Sequence, residues 1–125
     1  MIACDVIEHV EDIYGFLKKI RGNGCYKIFH IPLDLSVIAV VRNHLMSNRH
    51  SMGHLHYFTK DTALATLEET GYKILDYFYT PWSIEIADRG LKPMLLKYPR
   101  KFLFSINNDL AVRLIGGFSL MVLTV

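Results

Sequence analysis

The chain has 125 residues, the size of one domain or part of one. Apolar residues make up 51%, with seven Phe, seven Tyr and one Trp, which is enough for a packed core and argues against a disordered chain. Fourteen Lys and Arg against twelve Asp and Glu leave a net charge of +2, too small to argue for a nucleic-acid or membrane partner.

Residues 1–7 form an apolar run that turns polar at Asp5, Glu8 and His9 and read as a buried strand. The acidic Asp5, Glu8, Glu11 and Asp12 interrupt the run, so it does not read as a signal peptide. Over residues 12–21, Ile13, Phe16, Leu17 and Ile20 recur at helical spacing, and Gly22-Asn23-Gly24 ends the helix. Residues 25–31 read as a second strand, stopped by Pro32. Strand, helix and strand with short connections imply a crossover in a parallel sheet. Cys4 and Cys25 fall in these apolar stretches and make neither a disulfide framework nor a CxxC knuckle. Buried, reduced thiols in a cytoplasmic setting are expected.

In residues 33–52, Leu35, Ile38, Val41, Leu45 and Met46 can share one helix face, with Asp34 or Ser36 as the cap. Thr59 can cap a helix over residues 60–70, with Ala63, Leu64 and Leu67 inward and Gly71 closing it. Residues 72–80 are aromatic and β-branched and predict a third strand, stopped by Pro81. Tyr77, Phe78, Tyr79 and Trp82 read as core and rim, since no basic residue lies among them to make a base-stacking platform. Residues 82–115 hold an amphipathic helix broken near Pro93 and Pro99, then a short helix capped within Asn107-Asn108-Asp109. Lys97, Arg100 and Lys101 read as a solvated loop or helix end. Gly116-Gly117 leads into a last, buried strand over 118–125, too short to span a bilayer of about 20 residues. The alternation of elements is that of an α/β fold.

Three blocks, in order, carry a resemblance. CDVIEHVEDIYGFLKKI (residues 4–20) is similar to the fourth strand and following helix of class I S-adenosylmethionine-dependent methyltransferases, in the branch with a D/E-x-x-E-H-V-x-D signature. GHLHYFTKDTALATLEETGYKILDY (53–77) resembles that branch's later loop and helix, and RLIGGFSLMVLTV (113–125) resembles its glycine turn and final strand. The resemblance implies the C-terminal half of a Rossmann-like sheet, mostly parallel with an antiparallel last strand. The chain would be a partial domain from the fourth strand onward, with a helical insert at about 33–52 and a helical connection at about 82–115.

The glycine-rich loop of the family's first strand is missing from these 125 residues. Gly22/Gly24 and Gly116/Gly117 do not replace it, because neither pair follows a strand and opens a helix. The resemblance implies S-adenosylmethionine as cofactor of the complete domain and methyl transfer to a small-molecule or sugar-type substrate. The 125 residues alone are expected to be inactive. Ala3, Cys4 and Asp5 would line the cofactor, and His9 would face the site unless, with Glu8, it only orients the following helix. His54 and His56 would lie in a loop over the site, as a substrate-side base or hydrogen-bonding groups or as ordinary loop histidines.

No metal is expected. The similar E-x-x-E-H motif of ubiquinone-pathway O-methyltransferases is associated with a divalent ion, so Asp5, Glu8 and His9 are the set to consider, but oxygen-rich sites need more ligands than this spacing shows. His50, His54 and His56 would suit zinc only if carried together on a helix, and Gly53 interrupts them. Without the family's first three strands, residues 1–6 become an exposed apolar edge. The alternative function is therefore a non-catalytic interaction module that pairs this edge with a partner chain, or with itself as a homodimer.

Overall fold

The computed structural model describes residues 1–81 and 91–125, with residues 91–97 and 100 described in backbone alone. Trp82 and the first part of the expected connection at 82–115 lie outside the described residues. The elements in chain order are β1 (Ile2–Cys4), a 3-10 turn (Ile7–His9), α1 (Ile13–Ile20), β2 (Lys27–Pro32), α2 (Val37–Val41), α3 (His44–Met52), α4 (Lys60–Glu69), β3 (Ile74–Thr80), α5 (Leu91–Ile106), α6 (Asn108–Ile115) and β4 (Ser119–Thr124). The fold is α/β.

The strands form one mixed sheet in the order β1-β2-β4-β3. β1 and β2 are parallel, and β4 is antiparallel to both of its neighbours, β2 and β3. Three strands thus share one direction, and the last in sequence runs against them. One face of the sheet is the core. Phe29 and Ile31 of β2 lie opposite Val122 and Leu120 of β4, and all four are buried. Ile13 and Leu17 of α1 and Ala63 and Leu67 of α4 close over them. Tyr72 ties the layers together: its ring meets Phe29 edge to face at 5.2 Å, and its hydroxyl donates to the Leu17 carbonyl at 2.7 Å. Phe104 of α5 stacks on Phe118 just before β4.

Local signals explain the helix ends. Asp12 accepts from the Gly15 amide, Asn107 from Leu110, and Thr59 forms a reciprocal capping box with Thr62. Gly71 follows α4 at φ +91°, a backbone conformation natural to glycine. Lys60 and Asp109 pair at 2.8 Å, and the Tyr79 hydroxyl donates to the same carboxylate, linking α4, α6 and β3. These two hydrogen bonds, Lys60's first, hold the Asp109 carboxyl below its usual range. The Lys60 ammonium is raised by the same contact, and burial pushes the Tyr79 phenol up.

Several sequence expectations are corrected. Cys4 and Cys25 are both exposed, because β1 is an edge strand that buries only Ala3, and Cys25 lies in the turn before β2. Residues 1–7 are not a single buried strand: β1 stops at Cys4, and Asp5, at φ +51°, turns the chain toward the 3-10 turn. The single helix face expected over residues 33–52 is two helices broken at Asn43, which is left-handed at φ +56°. Its apolar stripe is only partly covered: Leu35, Ile38 and Leu45 are half-buried, but Val41 is 79% exposed and α3 buries no residue. Of the two caps the sequence offers for this segment, Ser36 takes the role, accepting from the Ala39 amide. Pro93 and Pro99 do not break α5, which continues from residue 91 to 106 with Pro99 inside it. Lys101 is therefore exposed on a helix rather than in a loop or at a helix end.

Candidate functional site

Because β4 is reversed, its start lies at the same end of the sheet as the ends of β1, β2 and β3. Ligands of open α/β sheets bind beyond the carboxyl ends of the strands. Here that end holds a cavity of about 640 Å³. Asp5, Glu8 and His9 line it after β1, Asp34 after β2, and Gly116, Gly117 and Phe118 before β4. Arg42, His44 and Asn48 close the opposite side. Gly116 adopts φ +69° and ψ −169°, a conformation essentially confined to glycine, and a Cβ there would sit 2.5 Å from Ser36 Oγ. The glycine turn thus lets the backbone approach α2 and shapes one wall.

Two of the expected site histidines come together here. The His9 and His54 rings meet edge to face, with centroids 4.9 Å apart. Gly53 permits this: at φ +78° it ends α3 and delivers the following loop onto the 3-10 turn. The amides of Leu55 and His56 both donate to the Glu8 carbonyl, at 2.7 and 3.1 Å. The docked loop leaves Glu8 fully buried. Among the described residues, neither of its carboxylate oxygens has a hydrogen-bond partner beyond its own backbone amide. Burial raises its carboxyl above the usual range, against the hydrogen bond from its own amide, which lowers it, and the Asp5 charge adds to the rise.

The histidines are oriented by acceptors. His9 Nδ1 lies 3.1 Å from the Gly53 carbonyl, which can only accept, so Nδ1 carries the proton and Nε2 the lone pair. That Nε2 is 3.8 Å from Glu8 Oε1, beyond hydrogen-bond distance. His54 Nδ1 is bonded to Asp34 Oδ2, which leaves its Nε2 available as a base or ligand atom. His54 is nearly buried, whereas His9 is open on one side.

The other expected residues are placed differently. His56 Nε2 donates to the Val10 carbonyl at 2.8 Å, clamping the loop to the chain after the 3-10 turn. Asp5 turns away from Glu8 and His9 to β2: its amide donates to the His30 carbonyl, and its carboxylate accepts from His30 Nδ1 at 2.9 Å. His30 Nε2 reaches Thr80 Oγ1 at 3.0 Å. Ala3 is buried and Cys4 is exposed. His50 lies in α3, exposed, one element away from His54.

Asp34 and His30 are site residues that sequence reasoning missed. For Asp34 a signal existed, since two caps, Asp34 and Ser36, competed for one helix and one of them was surplus. His30 gave none, because an alternating strand position does not say what lies across it. Comparison of the chain with protein-family models and with curated proteins gives no match.

Proposed function

We propose that this chain is the substrate-side half of a cytoplasmic, Rossmann-like class I methyltransferase domain, acting on a small-molecule or sugar-type acceptor with S-adenosylmethionine. The observation that carries the reading is the direction of the strands: three run together and the last is reversed, as the resemblance implies, and the cavity opens at their common carboxyl end. The bound cofactor would supply a methyl group on a sulfonium. The end of β1 suits one side of such a ligand, since Asp5 lines the cavity and Cys4 before it is exposed. The three residues Ala3, Cys4 and Asp5 offer no cradle for the rest of it.

His54 is the best placed proton acceptor. Asp34 holds its imidazole in the tautomer that presents a lone pair on Nε2 and stabilises the imidazolium formed when a hydroxyl is deprotonated. His9 and Glu8 flank that position. No helix among the described residues is long and apolar enough to cross a membrane.

Titration of the chain with S-adenosylhomocysteine, followed by amide NMR shifts, tests the reading. Calorimetry is expected to show no tight binding, while millimolar ligand shifts Ala3, Cys4, Asp5 and His9 selectively. Shifts elsewhere, or none at these residues, would overturn it.

A specific observation favours a second reading, an interaction module. Among the described residues β1 is bonded on one side only, and Ile2 is 68% exposed on it. Sedimentation velocity is then expected to show a concentration-dependent dimer that Ile2→Lys weakens at least tenfold. A wild-type monomer at every concentration would dismiss self-pairing.

A further inference from the structure

We propose that the cavity at the carboxyl end of the sheet selects an anionic small molecule with an apolar body, whose carboxylate or phosphate group pairs with Arg42. Calling that molecule the methyl acceptor rests on the proposed function, whereas the preference for an anion rests on the cavity alone.

The first support is the sign of one wall. Residues 35–59 contain no Asp or Glu, and this segment gives the cavity Ser36, Arg42, His44 and Asn48. Of these Arg42, in the turn between α2 and α3, alone is permanently charged. Among the described residues its guanidinium has no hydrogen-bond or ion-pair partner. Elsewhere in the fold Arg113 pairs with Asp61, Lys60 with Asp109, and Arg21 reaches the Thr70 carbonyl at 3.4 Å.

The second support is that the carboxylates of the facing wall are engaged. Asp5 accepts from His30 and Asp34 from His54, while Glu8 is fully buried beneath the docked loop. The fold thus brings no acid to Arg42. A guanidinium left open beside a cavity suits an oxyanion, which it grips through two parallel N–H donors. The negative charge of the far wall repels an anion placed there and so orients the molecule. Its charged group lies toward Arg42 and its other end toward His54 Nε2.

The third support is what lies between the two walls. Leu33, Ile38, Ala39, Met52, Ile115 and Phe118 line the space. Its volume of about 640 Å³ falls within the range of small-molecule sites, about 300–1,000 Å³. A molecule reaching from Arg42 toward His54 is therefore apolar in its middle, as in an aryl or short alkyl acid or phosphate monoester. A sugar, polar all round, would leave hydroxyls unpaired against this lining.

Amide NMR titration of the chain with benzoate, benzyl alcohol and benzylamine tests the charge preference on one ring. Phenyl phosphate separates recognition of phosphate from that of carboxylate. One or both anions are expected to bind about tenfold or more tightly than benzyl alcohol, to shift Arg42, Asn48 and Gly116, and to weaken as salt is raised. Arg42→Gln should remove the advantage, and Arg42→Lys should keep only part of it, since an ammonium lacks the paired donors. Arg49→Gln, on α3 but not lining the cavity, should leave it within about twofold, and all three should keep the wild-type circular dichroism. Benzyl alcohol binding as tightly as both anions, benzylamine binding best, or Arg42→Gln retaining the preference would overturn the inference. The same samples titrated with S-adenosylhomocysteine separate the two readings. An anion preference without a response at Ala3, Cys4, Asp5 and His9 sustains this site and dismisses the methyl acceptor; the reverse dismisses this inference alone.

Discussion

Phe29→Ala is expected to remove about 3–5 kcal/mol of stability, the usual cost of emptying a fully buried phenylalanine site. Phe29 is 0% exposed in the middle of β2, the strand that joins β1 to the rest of the sheet. Its ring is packed by Tyr72, whose hydroxyl is anchored on α1, so the surroundings cannot collapse into the void without breaking that hydrogen bond. Single domains are stable by about 5–15 kcal/mol, so the loss is a large fraction of the whole. Urea denaturation should show a lower midpoint with an unchanged slope. Tyr26→Ala, one turn earlier and 62% exposed, should stay within about 0.5 kcal/mol of wild type. A Phe29→Ala loss below about 1.5 kcal/mol would mean that the core lies elsewhere.

Glu8→Gln is expected to stabilise the chain, by about 1–2 kcal/mol, because it removes a buried carboxylate whose burial outweighs the hydrogen bond from its own amide and the two neighbouring histidines. Gln keeps the shape and still leaves polar atoms short of partners, so the gain is smaller than the full cost of the buried charge. Thermal melts of the two proteins measure it. A variant less stable than wild type would show that Glu8 has a stronger partner in the fold than its own amide.

Much of the fold is legible in the sequence because its signals are local. Asp12, Thr59 and Asn107 cap their own helices, Gly71 ends one, and the apolar spacing of Ile13 and Leu17 or of Ala63 and Leu67 marks the inward face. Where the reading failed, the deciding partner was distant. The stripe containing Ile38 and Val41 has helical spacing, yet spacing alone does not show whether a second layer exists to bury it. Cys4 sits in an apolar stretch, but whether such a stretch is central or at an edge is a property of strand order, and Cys25 falls just before the strand that its apolar run predicted.

The same division holds for the site. Glu8, His9 and His54 stand out by residue type and position, and Gly53 marks the turn that brings the loop back. The sequence by itself determined the alternation of strands and helices, the caps of α1, α4 and α6 and the polar residues gathered after β1, since each depends on neighbours a few positions away. Only the tertiary structure decided that Asp5 belongs to His30, that Asp34 orients His54, and that the Glu8 carboxylate is buried with no partner among the described residues but its own amide. Those outcomes depend on which strands lie side by side and which loop covers them. A hydrogen bond between residues 20 or 25 positions apart leaves no periodicity in the chain to read.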